Sequence, residues 1–353
     1  MKKFKKVLSY VVLSSALAAV ATGCGSSSPS TNEPTASSNQ EAAKENTGEK
    51  ITIKFGHHLS ENHSLHEQVV KFGEIVSQKT NGQVQVEIYS NGQLGDQRDL
   101  LEGLKLGTVD MALGDSGVVA NYYPQLGVLD LPYLFKDVDH SIRALDGELG
   151  GKLKEGILQT AGFRTLAIEP TAYRSVVLAK DTVKSIEDFK GLSVRTLQAP
   201  QIIETFNSFG AQPVAMPSGE AFTGMQTGAV DGMESNPEFL KSIKVWEAGK
   251  YYVDTTHSLT HETINISEQF YSKLPDDVKK AVEESVNETV VWFHDYTKQV
   301  DIDSRKALQD NGMTFVEFDL EPFKQAAVPV SEKLVKDNGW DEFYQLVKDA
   351  EGK

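Results

Sequence analysis

The sequence predicts an α/β protein of two similar halves braced by one long helix, and three observations carry that prediction. Strand and helix signals alternate from residue 51 to residue 114, a second alternating series runs from Phe163 to Ser235, and residues 275–312 keep helical patterning for over 30 residues without an internal proline or glycine. Beyond a low-complexity amino-terminal stretch some 300 residues remain, more than one hydrophobic core usually holds and enough for two domains.

Each element has a local reason. "ITIKF" (51–55) alternates apolar and polar residues as a half-buried strand does, and a polar loop, "GHHLSENHS", follows. Ser64 with Glu67 reads as a capping box, and Leu65, Val69, Phe72 and Val76 recur at helical spacing until "NGQ" at 81–83. "VQVEIY" (84–89) is the next strand, "RDLLEGLKLG" a short helix and "VDMALG" (109–114) a third strand. In the second series "FRTLAIE" and "YRSVVLAK" read as strands, Ser185 to Asp188 as a capping signal, and "LSVRTL" as a strand. A helix around Ile202 to Phe209, a strand "QPVAM", a helix "GEAFTGMQTG" ended by Gly228, and a strand "AVDGMES" complete it. Such alternation predicts a mainly parallel sheet, whose loops at the carboxyl ends of strands are the usual binding positions. The pattern over 275–312 exceeds an ordinary globular helix and predicts an element touching both halves.

The amino terminus speaks to compartment. Lys2, Lys3, Lys5 and Lys6 precede an uncharged, largely apolar stretch from Val7 to Ala21 that ends in "ATGC", the pattern of a signal peptide. "ATGC" is similar to a bacterial lipobox and ends in the only cysteine of the chain, so residues 1–23 read as a lipoprotein signal peptide and Cys24 as the lipidation site. Residues 24–49, rich in Ser, Thr, Asn, Pro and Glu with no large apolar side chain, read as a flexible tether. Without residues 1–23 the charge is −19, 31 basic residues against 50 acidic, which argues against nucleic acid as a partner.

Few motifs carry reaction chemistry. "GDSG" (114–117) lacks the surroundings of a nucleophilic serine, since no "GxSxG" elbow encloses Ser116, and "NGQLGDQ" lacks the lysine of a phosphate loop. His57, His58, His63 and His66 fall within ten residues and make a metal-binding lipoprotein the alternative reading, although their spacing matches no closed zinc pattern. The chain has only six arginines, three of which (Arg164, Arg174, Arg195) fall within 32 residues. A guanidinium grips a carboxylate with two parallel hydrogen bonds where lysine offers a point charge. Among 50 acidic residues each arginine equally suits a structural bridge, and the residues alone leave both readings open.

"GLSVRTLQAP", followed by "ETFNSFGAQPVAMPSGEAFTGMQTGAVDGMESNP", resembles the signature of the DctP family, the solute-binding proteins of TRAP (tripartite ATP-independent periplasmic) transporters. "VEIYSNGQLGDQRDLLEGLKLGTVDMAL", "GVLDLPYLF" and "YSKLPDDVKKAV" resemble its other landmarks in the right order, so the resemblance covers about residues 50–350. It implies a two-domain periplasmic-binding-protein-like fold closing on a small organic acid, with domain I over 50–172 and 261–301, domain II over 173–260 and 302–353, and a long helix spanning both.

By that resemblance Arg195 grips the ligand carboxylate, Arg174 lies near it, and Asp115, His58 and Asp96 line the pocket. "ESNP" stands where a common family form has "ENNP", so Ser235 replaces one ligand asparagine and Asn236 keeps the second. Ser218 stands where many relatives carry an aromatic ring, and Glu220 and Gln226 belong to the motif as structural residues. The expectation is a monomeric, lipid-anchored, extracytoplasmic binding protein, not an enzyme and without a cofactor, that delivers its ligand to small and large permease subunits. A sugar acid such as a uronate is favoured over a C4-dicarboxylate, because Asp115, Ser218, Ser235 and the histidines suit hydroxyl groups.

Overall fold

The computed structural model describes residues 49–180 and 183–352; the expected signal peptide, Cys24 and all but the last residue of the tether lie outside the described residues. Among the described residues nine strands form one sheet: β1 (Ile51–Gly56), β2 (Val84–Tyr89), β3 (Met111–Asp115), β4 (Phe163–Leu178), β5 (Ser193–Thr196), β6 (Gln212–Ala215), β7 (Gly232–Ser235), β8 (Tyr251–Ser267) and β9 (Thr314–Val316). Their order is β2-β1-β3-β8-β4-β7-β5-β6, with β9 beside β8.

The expected parallel pairing holds in the two flanking triplets, where β1 pairs with β2 and β3, and β5 pairs with β6 and β7. The centre differs. β4 and β8 are long antiparallel strands that join the triplets, and the two segments read as separate strands, "FRTLAIE" and "YRSVVLAK", are both parts of β4. Pro170 lies between them at one of the register irregularities in the β4–β8 pairing, where a residue with no N–H to offer can be accommodated. β8 has no apolar alternation to announce it. Two of its buried polar side chains are satisfied across the sheet: Thr263 Oγ1 donates to the Gly114 carbonyl at 2.7 Å, and Asn265 Oδ1 accepts from Thr165 Oγ1 at 2.7 Å.

The cores follow the two faces of this sheet, and each includes residues from both triplets or the helices that follow them. One gathers Leu100, Phe163, Phe189, Phe206 and Trp340, the other Ile53, Phe72, Val177, Met233, Tyr252 and Phe293. Adjacent residues of β4, Val176 and Val177, fall into opposite cores, as the alternation of side chains along a strand requires.

The long helix, Asp276–Asp310, lies against the first helix (Ser64–Lys79), β4 and the helix after β7 (Pro237–Ser242). Tyr296 donates to Glu67 at 2.6 Å, and Arg305 donates to Asp254 of β8 at 2.7 Å. The first helix starts differently from its sequence signal. His63, not Ser64, is the cap, accepting from Leu65 N–H at 3.3 Å, because the Ser64 hydroxyl is committed to Glu238. Among the described residues no helix is long and apolar enough to cross a membrane.

Candidate functional site

The loop after β1, the ends of β3, β5 and β7, and the middles of β4 and β8 meet at a cleft between the two triplets. The cleft is narrow, and Asp115, Arg174, Arg195, Ser235, Asn236 and Glu262 in its lining are all buried, so it is shut. A larger hollow of about 1220 Å³ beside Tyr133 and Tyr344 opens on the surface and holds no buried guanidinium.

Six of the seven nominated residues line the cleft: His58, Asp115, Arg174, Arg195, Ser235 and Asn236. Asp96 lies beside it rather than in its lining. Its Oδ1 accepts from Gln97 N–H at 2.7 Å and caps the helix Gln97–Leu106, while Asp99 accepts from the Asp96 N–H at 3.0 Å. The preceding Gly95 is required there, since its φ is +104° and an added Cβ would stand 2.4 Å from the Asp99 Cβ. Asn236 also caps, accepting from Phe239 N–H at 2.9 Å at the start of the helix Pro237–Ser242. The Ser235 hydroxyl has no hydrogen-bond partner among the described residues. Glu220 and Gln226 are both exposed.

The two cleft arginines have opposite surroundings. Arg174 is saturated: Nε and Nη2 donate to Glu234 at 2.5 and 2.9 Å, and Nη1 donates to Asp115 at 3.3 Å and to Thr260 at 3.4 Å. Although burial opposes its charge, Glu234 and Asp115 outweigh burial and raise its pKa. Arg195 is wholly buried and forms no ion pair with any described residue. Nε and Nη2 donate to the Met216 carbonyl at 3.1 and 2.7 Å, and Nη2 reaches the Ser218 hydroxyl at 3.4 Å. Burial pulls its pKa down to about 10, against the pull of Glu234, so it stays protonated at neutral pH as a desolvated cation in no ion pair among the described residues.

Burial lowers the His58 pKa to about 4 and the His57 pKa to about 3, so both imidazoles are neutral. The four histidines do not converge. His57 meets His66 at 3.0 Å, His58 faces Gln97 at 3.5 Å, and His63 lies 3.6 Å from Glu238; among the described residues no three metal donors gather. Ser116 donates to Asp130 at 3.0 Å, which commits its hydroxyl.

Three acidic residues escaped sequence reading. Glu234 sits inside the quoted "GMES" and neutralises Arg174; Glu262 lines the cleft from β8; Glu238 accepts the Ser64 N–H and hydroxyl at 2.7 and 2.6 Å across 174 residues of chain. Only the arginine count hinted at the first, since scarce arginines among many acids imply bridges.

The model of the family described as bacterial extracellular solute-binding protein, family 7 (DctP), matches residues 55–338. The C4-dicarboxylate-binding periplasmic protein of Rhodobacter capsulatus is 30% identical over 297 residues, 82% of this chain and 87% of the relative. A TRAP periplasmic solute binding protein from Bradyrhizobium, crystallised with galacturonate, is 29% identical with a TM-score of 0.81, covering 86% of this chain and 100% of that one. Another from Roseobacter denitrificans, with bound L-galactonate, is 29% identical with a TM-score of 0.79, covering 86% and 99%. The chain belongs to the DctP family of extracytoplasmic solute-binding proteins, which serve TRAP transporters as binding proteins and not as enzymes.

Proposed function

We propose that this protein captures a sugar acid, a hexuronate or aldonate, with the ligand carboxylate on Arg195, and hands it to the small and large subunits of its permease. One observation carries the reading: Arg195 is a buried guanidinium with no carboxylate of its own. A ligand carboxylate supplies the missing charge with a bidentate, charge-assisted bond. Asp115, Ser235, Asn236 and His58 offer polar contacts to hydroxyls.

A C4-dicarboxylate is the second reading, favoured by the Rhodobacter relative. Against it stands the charge balance of the cleft. Arg174 is already neutralised by Glu234 and Asp115, so a second ligand carboxylate would meet Asp115 with no unpaired cation beside it among the described residues. Among the described residues the cleft lining holds one unpaired arginine, which suits one carboxylate.

Capture works by closure in this account. The proposed lobes, residues 50–172 with 261–301 and 173–260 with 302–353, hinge within β4, β8 and the long helix. Contacts across the cleft support it: Glu238 with Ser64, Asn121 Nδ2 donating to the Gln198 carbonyl at 3.1 Å, and Asp96 Oδ2 with Gly219 N–H at 3.5 Å. Closure removes water from around the ion pair and strengthens it. The protein acts as a monomer tethered by lipid on Cys24, which needs more than one acyl chain to hold.

Calorimetry with D-galacturonate, L-galactonate and succinate tests the reading. Sugar acids are expected to bind at about micromolar Kd, near −8 kcal/mol, with succinate at least about tenfold weaker. Succinate binding more tightly than every sugar acid would reverse the assignment.

A further inference from the structure

Three carboxylates stand opposite one another on adjacent strands: Asp115 of β3 pairs with Glu262 of β8, and Glu262 pairs with Glu169 of β4. Residues directly opposite in antiparallel strands project to the same face, and like charges placed so repel. All three side chains are buried, Glu262 to 95%.

Their partners differ. Asp115 has Arg174 at 3.3 Å and the Gly117 N–H at 3.0 Å, and Glu169 accepts from the Gln68 amide at 2.8 and 3.0 Å. Glu262 has neither a cation within ion-pair distance among the described residues nor any partner for its buried Oε2, although it lines the same cleft as Arg195. The titratable and charged groups around it are Asp115, Glu169 and Arg174, and the Arg174 fork is spent on Glu234. Burial first, then Asp115 and Glu169, raise the Glu262 pKa well above the ordinary range. β8 lies three strand positions from β5, about 14 Å of backbone, which sets Glu262 towards the end of the cleft remote from Arg195.

We infer that Glu262 is held as a neutral carboxylic acid and recognises a hydroxyl group of the bound sugar acid at the end of the cleft remote from Arg195. A neutral carboxyl offers one donor and one acceptor, as a hydroxyl does, whereas a carboxylate only accepts. The inference rests on the sugar-acid reading above and adds a specificity residue to it: a ligand lacking the hydroxyl leaves a buried donor unpaired.

The test is calorimetry with D-galacturonate and L-galactonate from about pH 6 to about pH 9, using wild type, Glu262→Gln and Glu262→Ala. Glu262→Gln, which keeps a donor and an acceptor and cannot ionise, is expected to bind within about threefold of wild type at neutral pH and without the wild-type decline towards high pH. Glu262→Ala is expected to lose about tenfold or more. Carbon-13 carboxyl NMR of the ligand-free protein, with the Glu262 signal identified by its absence from Glu262→Gln, is expected to show a protonated group at neutral pH. An ionised signal there, or unchanged binding in Glu262→Ala, overturns this inference alone. Wild-type protein that binds neither sugar acid overturns the functional reading and the inference with it.

Discussion

Glu234 closes the fork of Arg174, accepting from Nε at 2.5 Å and from Nη2 at 2.9 Å, with both side chains buried. Removing one member of such a pair strands the other as an uncompensated charge. Glu234→Gln is expected to lower stability by about 3–5 kcal/mol in denaturant unfolding, and the double change to Arg174→Met with Glu234→Leu to recover much of it. A loss below about 1 kcal/mol in Glu234→Gln would mean that the pair is not what holds Arg174.

Opposite pKa shifts give the fold two pH limbs. Burial raises the Glu234 pKa, but Arg174 and His257 together outweigh it and leave the group below its ordinary 4.5. Its contribution to stability is therefore complete above about pH 4.5 and is lost as pH falls through the depressed folded value. Glu169 runs the other way, lifted from 4.5 to about 8 by burial despite Gln68. Its contribution is complete below about pH 4.5 and is lost as pH rises through about 8. Glu169→Gln is expected to flatten the decline between those values in thermal melts of the ligand-free protein; a decline of undiminished slope would count against the shift.

Two of the contacts made across the shut cleft can be removed by substitution. Glu238 accepts two hydrogen bonds from Ser64 at the start of the first helix, where the helix dipole also favours a negative charge. Gly117 approaches Ala199 so closely that an added Cβ would stand 2.6 Å from the Ala199 Cβ. Glu238→Ala and Gly117→Ala are each expected to weaken ligand affinity about five- to fiftyfold and to enlarge the ligand-bound particle in small-angle scattering. Unchanged affinity with unchanged scattering would remove closure from the explanation.

The dispersed histidines give a simpler prediction. With His57 on His66, His58 facing Gln97 and His63 beside Glu238, zinc or manganese is expected to leave the melting temperature unmoved. A shift reversed by a chelator would revive the metal-binding alternative.

The outer strands of the fold were legible because each joins one apolar run to a turn, as "ITIKF" and "VQVEIY" do. The centre was not. β8 is buried among other strands yet fills with Thr, His, Glu and Asn, so no apolar run marks it. The same holds for the site. Cleft arginines could be nominated from scarcity and family motif, but only the three-dimensional neighbours separate a saturated Arg174 from an unpaired Arg195. Ser64 looked like a cap because its true partner, Glu238, is 174 residues away.

The ligand carboxylate is assigned to Arg195, and Arg195→Lys separates the fork of that side chain from its charge. Lysine keeps the charge and loses the fork, so calorimetry with the best sugar-acid ligand is expected to show a loss of about 10- to 150-fold, one charge-assisted bond of about 1.5–3 kcal/mol. The melting temperature of the ligand-free protein is expected to stay close to wild type, since no carboxylate of the chain pairs with Arg195 among the described residues. Wild-type affinity in Arg195→Lys would contradict the account.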